Sequence, residues 1–175
     1  MLITTPDLYV RGMDRNSVVV DGTKPGSPTC SSKAQDQNFG PVVSGSAEGL
    51  NGIMVWKADN VWVQNLTVCN FLGGSGDAGN EVWWNGGANS AKVGGWGYIG
   101  SYLTATSDFY GSEASAAQYG IFSSNWSGGT WDQTYASNFN DSGYYIGACQ
   151  QVCDQVVNQA WAEFNALGYS GWGPK

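Results

Sequence analysis

The chain has 175 residues, 42% of them hydrophobic and only 12% charged, with 7 basic against 14 acidic side chains and a net charge of −7. That length supports one domain with a real core, the hydrophobic content excludes disorder, and an acidic balance without a basic run excludes nucleic acid and anionic membrane as partners. Histidine is absent, which excludes His-based triads and zinc sites of the Cys/His kind and leaves acid–base chemistry to Asp, Glu, Lys, Arg or Tyr.

The 26 Gly, 9 Trp and 9 Tyr predict an all-β, turn-rich chain. Leu8 to Gly22 reads as two short strands, Leu8-Tyr9-Val10 and Val18-Val19-Val20, around a polar turn. Residues 23–50 are rich in Gly, Ser and Pro and predict a long surface loop. Asn51 to Phe71 carries apolar alternations at Ile53-Val55, Val61-Val63 and Leu66-Val68. Its corners are Ala58-Asp59-Asn60 and Gln64-Asn65. Three short strands with such corners lack the tight hairpin turn and suit one coil of a parallel β-helix.

The later chain repeats this pattern. A polar residue followed by Phe recurs at Asn70-Phe71, Asp108-Phe109, Asn138-Phe139 and Glu163-Phe164. Phe139 to Tyr144 parallels Phe164 to Tyr169. Gly52-Ile53, Glu81-Val82, Gly120-Ile121 and Gly143-Tyr144 align as the starts of successive first strands, with Gly/Ser/Ala-rich loops at 72–80, 86–95 and 110–118. The expected fold is therefore all-β, a right-handed parallel β-helix of about four to five coils in one domain over 1–175. A partial first coil spans 8–22 and full coils span 51–171. An antiparallel sandwich is the alternative that short strands, turns and Trp also allow.

Four cysteines, an even number, fit an oxidising compartment. Cys149 and Cys153 can close a small loop, and Cys30 would then pair with Cys69. No run reaches the ~18 apolar residues of a membrane span. Met1-Leu2 opens straight onto a strand-like run, which suggests a start Met in place of a removed leader.

Val10-Arg11-Gly12-x-Asp14-Arg15-Asn16, leading to Val20-Asp21-Gly22, resembles the opening of bacterial proteins in the pectin-lyase-like, right-handed β-helix superfamily. Asn51-Gly52-Ile53 with Ala58-Asp59-Asn60-Val61-x-Val63-x-Asn65-Leu66-Thr67-Val68 does so too. Tyr145-Ile146-Gly147-x-Cys149 and Ala162 to Gly171 look like a group of uncharacterised secreted bacterial β-helix repeat proteins. The resemblance implies secretion, and a corner Asn65 that stacks on its equivalents, with Asn158 as its match. It also implies further coils after Gly171, so the chain is a fragment or has an end that pairs with another copy. These are fold motifs, which carry less about activity.

Candidate binding residues come from alternation. With Ile53, Val82, Ile121 and Tyr144 inward, Met54, Trp83, Phe122 and Tyr145 point outward in one column. Trp56 and Asn85 start a second. In this superfamily such a face carries a glycan groove, and aromatic faces suit sugar rings. The expected partner is an extracellular polysaccharide, the alternative a structural or self-associating surface protein. The weak catalytic candidates are Asp77, Glu81, Asp108, Glu113 and Asp141 near the loops, with Lys57 as the base beside the platform, and Arg11 and Arg15 in the partial coil. They would serve a glycoside hydrolase or a polysaccharide lyase. No cofactor or transition metal is expected, which leaves room only for weak Ca²⁺ among the acidic loops. Asn65, Asn125 and Asn140 each open a glycosylation pattern, which is a weak signal.

Overall fold

The computed structural model describes residues 1–88 and 92–173. The loop expected over 86–95 and the end of the domain expected over 1–175 thus fall partly outside the described residues.

Three short strands open the chain: β1 (Leu2–Ile3), β2 (Tyr9–Arg11) and β3 (Val19–Asp21). Residues 23–50 hold a 3-10 turn (Ala34–Asp36) and a small hairpin of β4 (Val42–Val43) and β5 (Ser46–Ala47). The longer strands follow: β6 (Ile53–Trp56), β7 (Val61–Cys69), β8 (Asn80–Asn85), β9 (Gly95–Thr106) and β10 (Tyr119–Ser124). The last four are β11 (Trp126–Ser137), β12 (Ser142–Gly147), β13 (Gln155–Glu163) and β14 (Leu167–Gly171).

From β6 on, consecutive strands go to opposite sheets. The first sheet has the order β1-β6-β8-β10-β12-β14 and the second β2-β7-β9-β11-β13, with β3 beside the far half of β7. Every pairing in these two sheets is parallel, and β4–β5 is the one antiparallel strand pair among the described residues. The antiparallel sandwich is excluded, because in the two large sheets neighbours in sequence never pair. We call one strand from each sheet, taken together, a layer.

The register matches the repeat read from sequence. Ile53, Val82, Ile121 and Tyr144 are successive partners, and Tyr144 continues to Tyr169. These first four face inward and are buried, as are Val61, Val63, Leu66 and Val68 of β7. The interior columns of the second sheet mix large and small residues. Tyr98 is paired with Gly129, and Gly100 with Trp131. A Cβ on Gly129 would sit 2.0 Å from the Tyr98 ring, so glycine is the residue that leaves this ring room. Trp84 fills the same space from the first sheet, stacked on Tyr98 with centroids 4.4 Å apart.

Four expectations change. The chain makes two strands per layer rather than three, because β7 runs nine residues through the predicted corner at Gln64-Asn65. Asn65 bends the strand instead of ending it, by adopting φ 57°. Its equivalents are Tyr102 (φ 52°), Gln133 (φ 52°) and Gln159 (φ 47°), since Gln64, Ser101, Asp132 and Asn158 precede the bend in register. The match to Asn65 is therefore Gln159, one residue after Asn158. The Phe repeat also slips. Thr106, Ser137 and Glu163 align, which puts Ser107 and Phe164 opposite Asn138. Phe139 is buried, whereas Phe164 is 83% exposed. After this last corner the alignment returns to Ser142 with Leu167, because the corner is one residue shorter. Finally, residues 23–50 are not all surface: Gln37 is fully buried and its amide donates to Ser31 O and Lys33 O.

Both disulfides form as expected. Cys30–Cys69 ties residues 23–50 to the end of β7 across 39 positions, and Cys149–Cys153 closes a loop across 4. The longer closure restricts the unfolded chain more. The two ends of the sheets differ. At β1–β3, Ile3 is buried and Val10, Val18 and Val20 pack partly on the core. At β13–β14 the inward-register residues Val157 and Tyr169 are exposed.

Trp84 is fully buried, and its indole N–H donates to Val61 O at 3.2 Å. Trp84→Ala leaves a cavity against Tyr98 and removes the hydrogen bond to Val61 O. It should cost about 3–5 kcal/mol, read as a lower midpoint in urea unfolding.

Candidate functional site

The expected aromatic column exists in the predicted register, with Met54, Trp83, Phe122 and Tyr145 as successive partners. Its faces are not open to a ligand. Trp83 stacks on Phe122 at 4.9 Å and 9°, and Phe122 on Tyr145 at 4.8 Å and 21°. Trp83 is 4% exposed and Phe122 6%. Parallel pairing holds the rings one above another at the strand spacing, so each ring covers its neighbour. The Trp83 indole N–H is also committed, to Ser124 Oγ at 2.9 Å. Reading this column as an open sugar platform is therefore corrected. It is a self-stacked ladder, with Met54 and Tyr145 half-buried at its ends. In the second column Asn85 is buried and receives the Gly87 N–H, while Trp56 is exposed under the Lys57 ammonium, 5.0 Å from its ring centroid.

The carboxylates separate into different environments. Glu81 was expected beside a loop and is instead fully buried at the start of β8. Its carboxyl accepts the Phe71 N–H, at 3.1 Å on one oxygen. Burial, and then the nearby charge of Asp21, push its pKa well above the ordinary 4.5, against the pull of the backbone hydrogen bonds. This carboxyl locks a corner and is sealed from any substrate. Asp108 and Asp77 are exposed, each raised by partial desolvation. Glu113 is exposed in a second 3-10 turn (Glu113–Ser115).

Asp77 and Asp141 are brought together around Tyr119. The Tyr119 hydroxyl donates to Asp141 at 3.1 Å, and the Ser142 hydroxyl to the other Asp141 oxygen at 2.6 Å. Burial first, then Asp141, raise the Tyr119 pKa, with Asp77 a weaker contributor. Tyr119 also stacks on Tyr145 at 5.0 Å. Both Asp141 oxygens thus act as acceptors within the fold. Among the described residues the one converging group of acidic and sulfur side chains is Asp21 with Cys30 and Cys69, and the disulfide removes those sulfurs from metal ligation. The acidic loops do not converge into such a group. The glycosylation patterns start at a buried Asn125 and at half-buried Asn65 and Asn140, whose amides donate to Gly12 O and Glu113 O.

The outer face of the second sheet was missed by sequence reasoning. There Tyr9, Trp62, Ile99, Thr130 and Val156 are successive partners, between the inward Val61 and Val63 columns. Tyr9 is 65% exposed, and its ring lies 4.5 Å from Trp62 at a 55° tilt. Trp96, 57% exposed, stands three residues before Ile99. Two positions along the strands, about 7 Å away, runs a polar row: Gln64, Ser101, Asp132 and Asn158. Gln64 donates to Ser101 at 2.7 Å and Asn158 to Asp132 at 2.7 Å. Alternation within Val61-Trp62-Val63-Gln64 signals these rows, but their alignment needs the register of β2, β9 and β11.

Compared with known proteins, the chain matches no family model, no curated protein and no solved structure. No helix among the described residues is long and apolar enough to cross a membrane.

Two outcomes follow from the burial. Trp83→Ala should lower stability by about 3 kcal/mol or more rather than leave the fold intact, checked by urea unfolding. Glu81 favours its neutral form in the fold, so its contribution is fully present below the ordinary carboxylate range and is lost as pH rises through its raised pKa. Stability measured from about pH 4 to about pH 8 should fall less for Glu81→Gln than for wild type. Identical slopes would show that Glu81 ionises as freely in the fold as in the unfolded chain.

Proposed function

We propose that this is a secreted protein of the pectin-lyase-like kind, a right-handed parallel β-helix, which binds an extracellular polysaccharide on the outer face of its second sheet. The observation that carries this is the pair of rows, Tyr9–Trp62–Ile99 beside Gln64–Ser101–Asp132–Asn158. A sugar ring has an apolar C–H face and a rim of hydroxyls. Trp62 and Tyr9 offer apolar surface to the first, and Gln64, Asp132 and Asn158 offer amide and carboxylate partners to the second, with Ser101 buried between them. Rigid strands hold both rows, so little ordering is lost on binding, and the straight rows favour a long polymer. The strand order, with each new layer added to the same edge of both sheets, supports the helical reading. Two disulfides support an oxidising compartment.

Cleavage is not part of the proposal. Hydrolysis needs two carboxylates about 5–9.5 Å apart, and the rows that carry the proposal hold one, Asp132.

A second reading has its own observation. Val157, Trp161, Leu167 and Tyr169 leave an apolar edge exposed at β13 and β14. Unpaired strand edges with apolar side chains favour association. Self-association there makes the sedimentation coefficient rise with concentration. Val157→Asp should suppress that rise.

The binding test is retention on insoluble glucans, pectins and xylans. Trp62→Ala should lose about tenfold or more in affinity, as expected of an aromatic anchor, with little change in thermal melting. Wild type retained by none of the panel, or Trp62→Ala retained equally, would remove the platform.

A further inference from the structure

Tyr102 is an unusual residue to find at a bend. Its neighbours in the bend column are the amides Asn65, Gln133 and Gln159, of which the short Asn tolerates the left-handed backbone best. Tyr102 adopts φ 52° and remains 45% exposed. The bend imposes this conformation on all four positions, and what sets Tyr102 apart is the ring that it leaves in solvent. The ring is held from one side: Gln133 donates its amide to the Tyr102 hydroxyl at 2.9 Å, and Arg15 donates to Gln133 O at 3.3 Å.

Beside it lies a cavity of about 430 Å³ lined by Arg11, Gln64, Asn65 and Tyr102. Arg11 and Arg15 are the only arginines in a chain of net charge −7, and both stand at this bend. Arg11 is exposed and pairs in register with Gln64. The hydrogen-bond capacity of the lining is weighted towards donors. The Tyr102 hydroxyl accepts from Gln133, which frees its proton to donate outward. Gln64 and Asn65 each spend one amide hydrogen, on Ser101 and Gly12, and keep another. The nearby acids accept within the chain, Asp14 from Asn16 and Ser17, and Asp132 on one oxygen from Asn158.

We propose that this bend is a binding site for a tetrahedral oxyanion, a sulfate or phosphate ester. Arg11 supplies the charged fork, and Tyr102, Gln64 and Asn65 supply neutral donors from other directions. A planar carboxylate is satisfied by one guanidinium fork, whereas a tetrahedral group presents three oxygens to donors that converge from several sides. For a polymeric ligand the proposal rests on the sheet-face reading. The ester would then be a substituent on the chain lying along the polar row, projecting past Gln64 towards Arg11.

The test uses the full chain and two sets of probes. Affinity electrophoresis compares one soluble β-glucan in neutral, sulfated, phosphorylated and carboxymethylated forms, each against a gel without polymer. Calorimetry titrates a sulfated, a phosphorylated and a carboxylated monosaccharide. Wild type should prefer the sulfated or phosphorylated form by about tenfold over the neutral one, the strength of a charged hydrogen bond. Which of the two is preferred identifies the ester. Arg11→Gln should erase that preference while neutral retention stays unchanged, and Tyr102→Phe should reduce it. Preference for the carboxylated form alone, no preference, or a preference that survives Arg11→Gln would overturn the proposal. Loss of neutral retention in wild type, with the sulfated or phosphorylated monosaccharide still bound, would remove the sheet platform and leave this site standing.

Discussion

The structure depends on side chains meeting their own equivalents from the layers above and below. Parallel strands in register bring position onto position, so a large ring in one layer must be matched by a small residue in the next. Tyr98 against Gly129, and Trp131 against Gly100, are that match in the interior. Interiors pack near crystal density, and a second ring at Gly129 has nowhere to go. On the outer side of the first sheet the same register stacks ring on ring: Trp83, Phe122 and Tyr145 lie one above another with Tyr119 packed beside them, and the stack closes the faces that a ligand would need.

The bend in the long strands is the second organising feature. Four residues at one register position share the left-handed conformation, which turns each strand without ending it. The turn divides the second sheet into two faces and brings Arg11 and Arg15, distant in sequence from Tyr102 and Gln133, to one edge. Glu81 is sealed in a corner, where burial raises its pKa, and Asp141 is tied to Tyr119 and Ser142, while Arg11 stays in solvent.

Much of the framework was legible in the chain itself. Composition determined the all-β class. Alternation around Ile53, Val82, Ile121 and Tyr144 determined the register of the first sheet, because a strand's period of two ties each residue to a side. The cysteine count and spacing led to both disulfides. What the sequence could not determine was coverage. Alternation put Trp83 on the outer side of its sheet, yet whether an outer ring is open depends on what the adjacent layers place against it. The bend at Asn65 was read as a corner because a left-handed residue inside a strand and one between strands look alike in sequence. Asn158 was taken as its match by counting back from Phe164, but the last corner is one residue shorter and the count slipped. The row of Tyr9, Trp62 and Ile99 was out of reach for the same reason. Its members belong to different layers with loops of different length between them, and only hydrogen bonding between strands decides which residues stand side by side.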